Sequence, residues 1–66
     1  MNIEEMRERI RKVFENVKQV DIARVTGLSA ATISMFMGGK NVSVDTIEKL
    51  YAAAVDYQRA IAEVEL

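Results

Sequence analysis

The sequence predicts an all-α protein, a compact bundle of four to five helices closed by a long C-terminal one. Three observations predict it. Half of the 66 residues are hydrophobic, Pro is absent and Gly occurs only three times, a composition that favours packed helices over turn-rich strands. Apolar residues recur at three- and four-residue spacing along much of the chain, the period of a helix with one buried face. Asn2, Ser29 and Ser43, residue types that satisfy free N–H groups at helix starts, precede three of these stretches.

The first helix starts near residue 3. Asn2 can cap it, Glu5 sits where a capping box places its acid, and Met1 and Met6 occupy hydrophobic-staple positions. Ile3, Met6, Ile10, Val13, Phe14 and Val17 form its core stripe. Glu4, Glu5, Glu8 and Glu15 interleave with Arg7, Arg9, Arg11 and Lys12 on the other face, the pattern of exposed charge paired at i to i+4. Asn16, which tolerates a left-handed backbone, marks the expected stop.

A short helix follows from about Gln19 to Thr26, ended by Gly27. Ser29 caps a third helix, which runs to the Gly38-Gly39 pair. Ser43 caps a fourth. No Gly or Pro interrupts residues 44 to 66, so this helix either runs on or bends near Asp56.

Residues 19 to 38 carry the most specific pattern. A helix-turn-helix brings two helices so close that one position of the first must be very small, and its turn needs a positive φ. Ala23 and Gly27 meet these demands. Ile22 before the Ala, Leu28 after the Gly, and Ile33 and Phe36 on the second helix supply the inward apolar positions. With Gln19, seven positions fit at fixed spacing. The four large apolar residues are scaffold, while Met35 and Met37 suit either packing or contact.

The stretch QVDIARVTGLSAATISMFMGGK resembles the Cro and lambda-repressor (C1-type) class of DNA-binding domains, and the flanking helices complete that layout. DIARVTGLSAATIS followed by VSVDTIEKL is also similar to the headpiece of the lac-repressor family. The long preceding helix and the lack of a sensor domain favour the first. The resemblance implies a phosphate contact for Gln19 and a major-groove face on the third helix, comprising Ser29, Ala30, Ala31, Thr32, Ser34 and Met35. It places Lys18, Lys40, Asn41 and Ser43 near the DNA backbone. The implied function is a sequence-specific transcriptional regulator on operator duplex. The sequence departs from the pattern where bases are read: this face lacks the Arg, Gln and Asn that make bidentate base contacts. Specificity would rest on paired half-sites or DNA shape. The alternative is a protein-interaction or DNA-tethering module, such as one from a transposition or recombination protein, that keeps the scaffold with weak sequence preference.

The formal charge of −1 gives little support to duplex binding by itself, but its distribution does more. Residues 1–16 are neutral, 17–40 carry +2 and 41–66 carry −3, so the positive part coincides with the motif.

In the last helix Ile47, Leu50, Ala54, Tyr57, Ile61 and Val64 alternate spacings of three and four, a seam for helix packing. The first three are expected in the core. Tyr57, Ile61 and Val64 are expected beyond the reach of so small a bundle and are the candidates for a homodimer contact, which would set two recognition helices about one duplex turn apart.

Catalysis is not expected. There is no His or Cys to act as base or nucleophile near neutral pH, no glycine-rich phosphate loop, and little room for a pocket. Neither cofactor, metal nor small-molecule effector is called for. Without Cys, signal peptide or an apolar run of roughly 18 residues, a single cytoplasmic domain over residues 1–66 with no membrane partner is expected.

Overall fold

The computed structural model describes residues 2–64, with side chains through Ala62. It is all-α, with four helices in the order α1 (Ile3–Phe14), α2 (Gln19–Thr26), α3 (Ala30–Met37) and α4 (Val44–Val64). Met1, expected in the hydrophobic staple, lies outside the described residues.

Local chemistry accounts for most helix ends. The Asn2 side chain accepts from the Glu5 N–H at 2.8 Å, and acids in the first turn of α1 and bases in its last complement the helix dipole. The expected left-handed stop at Asn16 does not form: among the described residues only Gly27 and Gly39 have positive φ. Instead α1 ends at Phe14, Glu15 keeps right-handed geometry, and the Val17 N–H donates to the Phe14 carbonyl. This tight right-handed turn folds Val17 back onto the core, which a left-handed break at Asn16 is not needed to do.

Gly27 ends α2 with φ 74°, its N–H donating to the Ala23 carbonyl at 2.9 Å. The Ser29 hydroxyl accepts from the Thr32 N–H and starts α3. At the far end of α3, Gly39 (φ 84°) donates to the Phe36 carbonyl and Lys40 to that of Met35, the paired bonds of a Schellman cap. Ser43 caps α4 by accepting from the Thr46 N–H. With nothing to break it, α4 is one helix of 21 residues, continuous through Asp56.

Among the described residues eight form the buried core: Ile10 and Phe14 from α1, Ile22 from α2, Ile33 and Phe36 from α3, and Ile47, Leu50 and Ala54 from α4, while Ile3, expected in the α1 stripe, is exposed at the helix start. Every one is apolar. α1 lies along α4, while α2 packs on α3 and on α4. Ala23 and Leu28 are half-buried against the same core, as two closely crossing helices require. Among the described residues no single helix is long and apolar enough to cross a membrane.

Candidate nucleic-acid interface

The link between α2 and α3 comprises residues 27–29, and the chain direction changes by 119° across it. Gly27 supplies the left-handed step. Thr26 locks the corner: its hydroxyl donates to the Ile22 carbonyl at 2.8 Å and accepts from the Leu28 N–H at 3.3 Å. Sequence reasoning passed over Thr26, although a hydroxyl just before a turn Gly is a residue type suited to such bonds.

The helical period divides α3 into two faces. Ile33 and Phe36 point into the core, while Ala30, Ala31, Ser34 and Met35 are exposed and Thr32 is half-buried. Ser29 and Thr32 are brought together, their hydroxyls 2.8 Å apart, and Ser43 is bonded to Thr46 in the same way at 2.9 Å. Part of the hydrogen-bonding capacity expected at this surface is therefore engaged locally. Ser34 makes no side-chain hydrogen bond among the described residues, and α3 carries no charged residue at all.

Lys18 and Gln19 are exposed at the start of α2, at the opposite end from the Gly27 corner. Lys18 offers no side-chain cap, although its carbonyl accepts from the Asp21 and Ile22 N–H groups. The first turn of α2 thus keeps N–H groups that no protein side chain satisfies, an arrangement that favours an anion. Lys40 and Asn41 are exposed in the α3–α4 loop, and the backbone bond from Lys40 to Met35 ties Lys40 to the last turn of α3.

The charged face of α1 departs from expectation. Among the described residues the single ion pair is Arg24–Asp21 at 3.7 Å, exposed and of small energetic weight. The expected pairs along α1 are not formed. Arg7 turns instead toward α3, its guanidinium carbon 4.9 Å from the Phe36 ring centroid, and donates to the Lys40 carbonyl at 3.0 Å. Arg9 reaches the Tyr51 hydroxyl at 3.4 Å. Contacts across the bundle compete with pairing along a helix, and here they prevail.

Tyr57 is not beyond the bundle. Its ring packs edge to face on Phe14, centroids 5.7 Å apart, so the packed part of the seam reaches past Ala54 to Tyr57, further along α4 than expected. Tyr57 and Ile61 remain 39% exposed and, with Val13, Gln58 and Ala62, line an open groove of about 340 Å³ between α1 and α4. The side chain of Val64, the third residue expected at this contact, lies outside the described residues.

Comparison with protein-family models, with curated proteins and with solved structures found no match to this chain.

Proposed function

We propose that this chain is a sequence-specific, double-stranded-DNA-binding regulator of the Cro and lambda-repressor type, acting as a homodimer rather than as an enzyme. The observation that carries the reading is the α2–α3 unit. A three-residue link with Gly27 at φ 74° and a 119° change of direction falls within the roughly 90–120° range of helix-turn-helix units. With Ile33 and Phe36 holding α3 to the core, its other face stays free for a major groove.

The surroundings support the same reading. Lys18 and Gln19 at the uncapped start of α2, and Lys40, Asn41 and Ser43 beyond α3, are exposed, and on this reading they hold phosphates, which orient a protein on duplex without reading bases. Ala30, Ala31 and Met35 suit thymine methyl groups, and Ser34 suits one hydrogen bond. Such a face discriminates weakly as a single copy. A homodimer through Tyr57 and Ile61 would read two half-sites, and the groove those residues line supports a second copy as its occupant. The compartment in keeping with this role is the cytoplasm of a prokaryote, where a phage or host regulator acts.

Titration of labelled duplexes at several salt concentrations, preceded by selection of bound sequences from a random pool, tests the proposal. Enrichment of a two-fold symmetric site, with affinity falling as salt rises, is expected; no binding even at low salt overturns it. One observation favours a second reading: an α3 free of charge with its Ser29 and Thr32 hydroxyls bonded to each other also suits a protein-interaction or DNA-tethering module. Binding without any enriched sequence would favour that module.

A further inference from the structure

The loop between α3 and α4 is held from outside by α1. Arg7 sets its guanidinium carbon over the Phe36 ring, 4.9 Å from the centroid, and uses the same group to donate to the Lys40 carbonyl. A planar fork can stack and donate at once; an ammonium is a point charge and does one or the other well. One turn along α1, Arg11 lies over Gly39, where an added Cβ would come within 3.0 Å of its Nη2.

These contacts immobilise one residue in particular. The N–H of Lys40 is bonded to Met35 in α3 and its carbonyl to Arg7 in α1, so both of its backbone polar groups are anchored, to different helices. Its side chain remains exposed. Arg7 thus packs on the inward-facing Phe36 of α3 and is coupled directly to the loop that follows that helix.

We infer that Arg7 is a positioning residue: it holds residues 38–41 in one arrangement, so that Lys40 and Asn41 meet phosphate without first having to be ordered. The inference rests on the DNA-binding reading. Its physical content is preorganisation, since a loop fixed before association loses little conformational freedom on binding. Arg7 itself, half-buried over Phe36, acts through Lys40 rather than on the ligand.

Amide hydrogen exchange followed by NMR on the unaltered chain, Arg7→Met and Arg7→Lys tests the clamp without DNA. Met keeps an apolar stem over Phe36 and removes the donor. In Arg7→Met the Gly39 and Lys40 amides are expected to exchange about tenfold faster, the worth of one lost hydrogen bond, while those of Ile10 and Leu50 change less. Arg7→Lys is expected to restore little of the protection. A common factor at all four amides, or full rescue by Lys, would overturn the clamp.

A double-mutant cycle in duplex affinity tests the coupling. If Arg7 acts through Lys40, the losses from Arg7→Met and Lys40→Ala overlap and the double variant binds little worse than Lys40→Ala alone. Multiplying losses would mean that Arg7 acts independently, and would overturn the inference. If the unaltered chain binds no duplex, the DNA-binding reading fails, and the exchange comparison still decides whether the clamp exists.

Discussion

Tyr57 and Phe14 meet edge to face, ring centroids 5.7 Å apart and planes inclined at 60°, and this contact ties the second half of α4 to the end of α1. Tyr57→Ala should therefore destabilise the chain by about 2 kcal/mol, combining lost apolar burial with the lost ring contact. Tyr57→Phe should be close to neutral, because the packing is retained. Urea unfolding of the two variants checks both expectations.

Ile61 offers the cleaner test of self-association, since it is exposed to 39% and makes no aromatic contact with the core. Ile61→Glu should convert a dimer to a monomer in sedimentation while circular dichroism still reports the helices. Retention of the dimeric mass would exclude this groove as the contact.

Gly27 separates conformational cost from steric cost. A Cβ there meets nothing within 4 Å, so the loss in Gly27→Ala comes from the φ of 74° alone, about 1–2 kcal/mol. Gly27→Asn should lose less, because Asn tolerates the left-handed region. Thermal unfolding of the pair gives the ranking.

Ser29 permits stability and binding to be pulled apart. Ser29→Ala removes the α3 cap and should cost about 1 kcal/mol. Ser29→Asp keeps a capping oxygen and the fold, but sets a negative charge at the end of α3 that faces the duplex in the proposed function. Duplex affinity should fall at least about tenfold with stability unchanged. Equal affinity of Ser29→Asp and the unaltered chain would argue against α3 as the reading helix.

Lys40→Ala should lower the slope of log affinity against log salt by about one, the signature of a single lost phosphate contact, and should do so equally on preferred and random duplexes. An unchanged slope would remove Lys40 from the interface.

The features legible in the sequence are those whose causes lie within a few residues. Asn2, Ser29 and Ser43 each bond the N–H three positions on, and Gly27 and Gly39 take up the positive φ that ends α2 and α3. These interactions belong to the local chain and would be attempted by almost any fold containing it. The inward residues were legible for a related reason: at a period of 3.6, Ile10 and Phe14, or Ile33 and Phe36, share one face wherever the helix is placed. The stop of α1 was misplaced onto Asn16 because a left-handed residue is only one way to end a helix, and the burial of Val17 is served by a right-handed turn.

The sequence by itself determined the helices, the Asn2, Ser29 and Ser43 caps and the buried residues of the core, though it also counted the exposed Ile3 among them, because backbone hydrogen bonding and hydrophobic periodicity act over one or two turns. Only the tertiary structure decided what the long side chains do. The arginines of α1 had acidic neighbours within reach, yet Arg7 bonds a carbonyl 33 positions away and Arg9 a hydroxyl 42 away. An exposed ion pair yields little in water, whereas a guanidinium laid over a buried ring at the bundle surface gains packing as well as a bond. Tyr57 likewise found Phe14 because α1 lies along α4, a relation that no spacing within either helix contains.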